Sequence, residues 1–267
     1  MPTSCSPRMW VPNGSPRCKS IMKKPSFPAF PHLLFIILVA GVVLTTGFLG
    51  LVALNSGPPE VATVKMVFGL IMLWIVLGGA LTYRFRERVR EFFQRLPFDW
   101  RVKFVLFATI LALAEEAITV LMTNLAPFFG VKPGEAYLTS STNYLDVVLC
   151  HSVVVFVPLF IAWAILLTRY DFSPFAVFLL FGLTGIFCEA TINPAGAIIG
   201  SAIWIFVYGL MVYLPAYCIP TGRSARPVKW YHHLLAIPAT FLIAMPLLLP
   251  ITYVLGHVLQ HPPGAHF

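Results

Sequence analysis

Seven apolar runs, each near the length of a bilayer-crossing helix, constrain this chain more than any other feature of its sequence. They fall at residues 33–54, 62–83, 102–124, 145–168, 174–191, 197–217 and 234–257. A helix needs about 20 residues to cross roughly 30 Å of hydrocarbon, and in lipid it must satisfy its own backbone hydrogen bonds. The pattern therefore predicts an all-α, polytopic transmembrane helix bundle of about seven helices. Composition agrees: 58% of the 267 residues are hydrophobic, 10% are charged and the mean hydropathy is +0.85. A soluble domain carries about 25% charged residues.

The net charge of +8 does not indicate nucleic acid, because the basic residues sit between apolar runs and do not form one basic face. With the N-terminus cytoplasmic, 16 Lys and Arg fall on inner segments and two, Lys65 and Lys132, on outer ones. That asymmetry sets the expected orientation. Residues 1–32, rich in Pro and Ser, read as a flexible basic cytoplasmic tail. The transmembrane domain spans 33–257, and 258–267 form a short external tail with His261 and His266, just beyond His257. The first run reads as an uncleaved signal anchor, since it is longer than a signal-peptide core. An integral, multi-pass protein of the plasma (inner) membrane is expected.

Residues 84–101 alternate Phe85, Val89, Phe92, Phe93 and Leu96 with Arg86, Arg88, Arg90 and Arg95. This amphipathic segment is expected to lie on the cytoplasmic lipid surface, with anionic lipid contacts over 84–103. The fifth run ends in Asn193-Pro194-Ala195-Gly196, a strong breaker. The fifth and sixth runs read as a tight hairpin, with a re-entrant element as the alternative. Pro238, Pro246 and Pro250 are expected to kink or shorten the last helix. Among five cysteines there is no Cys-x-x-Cys pair; Cys150 and Cys188 read as small hydrophobes inside apolar runs. His232 and His233, beside Trp230 and Tyr231, read as interfacial.

Of ten acids, seven (Glu60, Glu87, Glu91, Asp99, Glu135, Asp146 and Asp171) have ordinary explanations in loops or near interfaces. Glu115, Glu116 and Glu189 lie within spans, where an ionised carboxylate costs about 2.5–3.5 kcal/mol on insertion scales. Such groups face the bundle interior and mark functional sites. Glu115 lies about 18 Å from the cytoplasmic end of its helix at ~1.5 Å per residue. Thr119 and Thr123 follow it at four-residue steps, a polar stripe with Glu116 on its flank. Gly182 and Gly185 precede Glu189 and would admit a closely packed helix. His151, about 9 Å below the outer edge of its own helix, has a similar depth. Helices three to five can therefore converge on one site made of Glu115, Glu116, His151, Glu189 and Asn193.

Carboxylates with imidazole can hold a divalent metal, in which case Glu115, Glu116, His151 and Glu189 are the donors. A buried carboxylate can also activate water without a metal. The purely structural alternative is that these groups satisfy one another by hydrogen bonds. The chain has no phosphate-binding Gly loop, no nucleophile elbow and no His-Glu-x-x-His.

The Glu115-Glu116 pair, followed by polar residues on two later helices, resembles the intramembrane glutamate-dependent proteases, both the CAAX-type prenyl endopeptidases and the PrsW-type. The CAAX-type pattern is Glu-Glu-x-x-x-Arg, Phe-x-x-x-His and His-x-x-x-Asn. Here Glu115-Glu116 matches the pair and Val120 stands in place of Arg. His151 corresponds to the second motif, with Val147 in place of Phe. Glu189 and Asn193 have the spacing of the third, with Glu in place of His. Against the PrsW-type Phe-x-x-x-Glu, Phe187 lies two residues before Glu189, and the later His of that pattern is not evident. The resemblance covers residues 115–193. It implies hydrolysis of a peptide bond in a membrane-protein or peptide substrate. Glu115 or Glu116 would be the base, and His151, Glu189 and Asn193 would polarise the carbonyl or orient the water. A proton- or ion-coupled small-molecule transporter and a non-catalytic membrane scaffold are the competing expectations.

Overall fold

The computed structural model describes residues 29–261, and these form a helical bundle. The tail expected over 1–32 lies outside the described residues except for its last four positions, which begin the first helix. His266, Cys5 and Cys18 also lie outside them.

Nine helices occur among the described residues: α1 (Ala29–Ala53), α2 (Pro58–Arg95), α3 (Trp100–Asn124), α4 (Tyr144–His151), α5 (Val153–Arg169), α6 (Pro174–Ile192), α7 (Pro194–Ile199), α8 (Ser201–Tyr217) and α9 (Trp230–Val258). Five of them (α1, α2, α3, α6 and α9) are long and apolar enough to cross a membrane. The pair α4 and α5 passes the same test together but is bent by 47° at Ser152; counted as one broken span it brings the number to six, against the seven expected. The remaining apolar run forms α8, which at 17 residues is the shortest of the set. The chain is a multi-pass integral membrane protein.

The helix α8 occupies the middle of the bundle. Val207, Met211 and Val212 on it are essentially inaccessible, and it packs against α6, α3 and α1. Its partnership with α6 is the most extensive in the molecule. Two close approaches explain it. A Cβ on Gly182 would lie 2.7 Å from the Ile205 carbonyl oxygen, and one on Gly209 would lie 2.7 Å from that of Phe178. Glycine lets the two backbones meet where any side chain would collide. Because 178 faces 209 and 182 faces 205, α6 and α8 run antiparallel about the Asn193 break, as a hairpin requires. The indole of Trp74 on α2 ties in by donating to the Val207 carbonyl (3.0 Å). The peripheral helices α1 and α9 turn residues such as Leu44 and Leu242, each over 70% exposed, away from the core. That is the arrangement lipid-facing helices need.

The amphipathic segment differs from its expected form. It is not a separate surface element but the second half of α2, which runs unbroken through Gly78 and Gly79. Both glycines keep right-handed helical angles. The helix stops only at Leu96, which takes ψ 139° before Pro97, as a pre-proline residue favours. Part of its apolar face meets protein: Phe93 is buried against Leu214 and Cys218. Lys103 caps this end by donating to the Phe93 and Leu96 carbonyls (3.0 and 3.1 Å). Asp99 accepts from the Arg101 amide (2.8 Å) and starts α3.

His232 and His233 sit at the start of α9, and each meets an aromatic ring: His232 tilted against Tyr170 (4.3 Å) and His233 edge-on to Phe172 (5.5 Å). Pro238, Pro246 and Pro250 lie inside α9 without ending it; its winding loosens only at Val254–Val258.

Candidate functional site

Three carboxylates meet in the interior. Glu115 and Glu116 lie on α3, 3% and 6% exposed. Glu189 comes from the last turns of α6 and is half-buried. Glu115 interacts electrostatically with both other carboxylates, and Glu116 with Glu189. Tyr208 on α8 senses all three and donates its hydroxyl to Glu189 Oε1. The Glu116 carboxylate accepts from Thr119 Oγ1 (3.1 Å), and it interacts with the Ser152 hydroxyl at the α4–α5 bend, which itself donates to the Val147 carbonyl (3.3 Å). Among the described residues, no basic side chain forms an ion pair with any of the three. The position where the resembled proteases carry Arg holds Val120, which is buried.

Local structure accounts for each placement. Adjacent residues on α3 point about 100° apart, so Glu115 and Glu116 reach different neighbours. Glu115 faces α6 and α8, whereas Glu116 reaches the bend. Thr119 lies three residues after Glu116 and bonds to its side chain and its carbonyl (3.0 Å), so the polar stripe follows Glu116 and not Glu115. Thr123 serves the loop after α3 by accepting from the Leu138 amide (3.0 Å). Gly185 lets Tyr208 lie flat on α6: a Cβ there would fall 2.0 Å from Tyr208 Cδ2. The ring is fixed further by Phe156 (5.5 Å) and Trp204 (5.8 Å). Tyr144 adds a hydroxyl near Glu116, donating to the Leu113 carbonyl (2.9 Å).

The structure thus gathers Glu115, Glu116 and Glu189 but distributes the other two expected residues elsewhere. Asn193 is exposed and caps α7, its Oδ1 accepting from the Gly196 amide (3.0 Å). His151 lies beside Asp146 and His261. Its Nε2 lies 3.8 Å from Asp146 Oδ2, and its ring meets that of His261 at 4.8 Å. His261, expected in a solvated tail, is held instead with Nε2 2.7 Å from Asp146 Oδ1 and a side chain only 17% exposed. The metal donor set of Glu115, Glu116, His151 and Glu189 is accordingly not gathered at one point. Among the described residues, the group of His, Cys, Asp and Glu whose donor atoms converge is Asp146, Cys150 and His261.

Tyr208 escaped the sequence reading, which marks Ser152 only as a polar neighbour of His151. Tyr208 is one tyrosine in an apolar run, and nothing local sets it apart from an interfacial aromatic. Ser152 directly follows His151, but only the bend turns it toward α3.

Chemically, the cluster joins carboxylates that accept protons to hydroxyls that donate hydrogen bonds, in an interior with little water. Comparison of the chain with protein-family models, curated proteins and solved structures found no match.

Proposed function

We propose that this membrane protein is an intramembrane hydrolase, a glutamate-dependent peptidase that activates water at the Glu115, Glu116 and Glu189 cluster. The observation that carries the reading is the convergence of three interior carboxylates from two helices with the Tyr208 hydroxyl of a third. Carboxylates are costly at this depth and persist where they do chemistry or carry protons.

In this reading Glu116 is the general base, aimed by the Thr119 and Ser152 hydroxyls. It takes a proton from water as the oxygen attacks the scissile carbonyl carbon, and later returns that proton to the leaving amine nitrogen. Tyr208 shifts its hydrogen bond from Glu189 to the developing oxyanion. Glu115 and Glu189 share the protons that this exchange requires. The substrate is a peptide segment of a membrane protein. The N-terminus is cytoplasmic, by the distribution of Lys and Arg, and anionic lipids contact residues 84–103.

The test uses full-length protein in proteoliposomes with membrane-anchored peptide reporters. Wild-type protein should cleave, whereas Glu115→Gln and Glu116→Gln variants that insert and fold normally should not. Full turnover in both variants would sink the reading. Solute-driven proton uptake without cleavage would identify a proton-coupled carrier instead. Glu→Gln changes that alter stability alone would identify a scaffold.

A further inference from the structure

A second polar cluster lies on the helix that leads into the Ser152 bend. Asp146 and Cys150 are one turn apart on α4. His261 arrives from the end of α9, 115 positions along the chain from Asp146. One oxygen, one sulfur and one nitrogen from these residues all lie within 4.8 Å of one another. The Cys150 thiol is hydrogen-bonded to Asp146. His151 lies alongside this group and outside its 4.8 Å limit, with Nε2 3.8 Å from Asp146 Oδ2, close enough to close in as a fourth donor. The side chains of Asp146, His151 and His261 are 15–17% exposed: shielded enough to hold an ion, open enough to admit one.

We propose that Asp146, Cys150, His151 and His261 form a binding site for a zinc-class divalent cation. The donor chemistry selects the ion. Thiolate and imidazole suit zinc and its first-row neighbours, whereas magnesium and calcium require oxygen donors. Four protein ligands close the tetrahedral shell and make the site structural. An Asp carboxylate and a Cys thiolate together balance the dication.

Both sides of the site are built by backbone. Residues Val147–His151 are wound as a π-helix, a local form found often at functional sites. It ends in the 47° bend at Ser152. On the other side, Gln260 takes a left-handed φ of 50°, and His261 is anchored by its amide donating to the Leu255 carbonyl (3.0 Å). That turn presents the imidazole to α4. The bound ion staples the end of α9 to α4, one residue before the Ser152 that contacts Glu116. The staple therefore steadies the bend that carries a hydroxyl into the carboxylate cluster.

The test is metal binding by the full-length chain in detergent, stripped with chelator and titrated with Co²⁺ and then Zn²⁺. We expect one Co²⁺ per chain, with intense tetrahedral d–d bands and a thiolate-to-cobalt charge-transfer band, both abolished by Zn²⁺. Cys150→Ser should remove the charge-transfer band. His261→Ala should weaken binding at least about tenfold, since even supporting groups around a metal contribute 10–100-fold. His261→Ala and Asp146→Asn carry the test if Cys150→Ser fails to fold. Glu115→Gln and Glu116→Gln should leave the cobalt spectrum unchanged, so this outcome is separate from that of the peptidase assay. No stoichiometric uptake, or a wild-type spectrum in Cys150→Ser and His261→Ala, overturns the site.

Discussion

The Tyr208 hydroxyl donates to the Glu189 carboxylate across the seam between α8 and α6, within electrostatic reach of the two carboxylates of α3. This one bond joins the central helix to the acids that sequence spacing had singled out. It also separates a structural role from a chemical one. Tyr208→Phe keeps the ring contacts with Phe156 and Trp204 and removes only the hydroxyl. Interhelical hydrogen bonds in membranes average about 0.6 kcal/mol, with a maximum near 1.7. Thermal unfolding in detergent should therefore shift little, while cleavage falls about 10²–10³-fold if the hydroxyl stabilises the oxyanion. Activity that falls only in step with stability would assign Tyr208 to structure.

Gly185→Ala should disturb the cluster without touching an acid. The new methyl would lie 2.0 Å from Tyr208 Cδ2, so the ring must move. Overpacking of this kind costs about 1–3 kcal/mol. The matched control is Gly47→Ala on α1, where a Cβ meets nothing within 4 Å. It should stay within about 0.5 kcal/mol of wild type. Melting temperatures of the two variants, with wild type, check the contrast.

Ser152→Ala and Thr119→Ala each remove one hydroxyl that interacts with the Glu116 carboxylate. Each should lower turnover by about tenfold by loosening the base, at a stability cost near 1 kcal/mol. Because both hydroxyls hold one carboxylate, the double variant should depart from additivity. A double-mutant cycle on cleavage rate and unfolding measures the coupling, and strict additivity in both would show that the two hydroxyls act independently.

Lys103→Met should destabilise the end of the bundle where α2 gives way to α3. Lys103 is 8% exposed, and its ammonium satisfies two terminal carbonyls of the α2 end. Methionine fills similar space but leaves those carbonyls unpaired, at about 1–3 kcal/mol. Hydrogen exchange at residues near Leu96 should accelerate, while protection near Glu115 persists. Equal loss of protection at both places would show that the bundle opens as one unit.

The membrane bundle was legible in the sequence because its cause is local. Each apolar run must satisfy its own backbone in lipid, so run length and the spacing of breakers give the helices almost directly. The carboxylates Glu115, Glu116 and Glu189 were legible as candidates for the same reason: a charge within a span is conspicuous wherever it faces. Pro97 and Asn193-Pro194 likewise mark where helices stop. The unbroken α2 was not legible, because Gly78 and Gly79 permit a break without requiring one.

Which groups meet was decided by tertiary structure alone. Sequence depth put His151 level with the acids, but depth along a helix does not specify direction around it. The π-wound segment and the bend at Ser152 turn His151 toward Asp146 and His261 and send Ser152 to Glu116 in its place. Asn193 has motif spacing from Glu189, yet the helix ends between them and its side chain caps α7. Tyr208 and His261 reach their partners from helices far along the chain, through contacts set by glycine-mediated approach and by a turn at Gln260. Spacing within one helix is local information; the rotation and pairing of separate helices come from packing all of them at once.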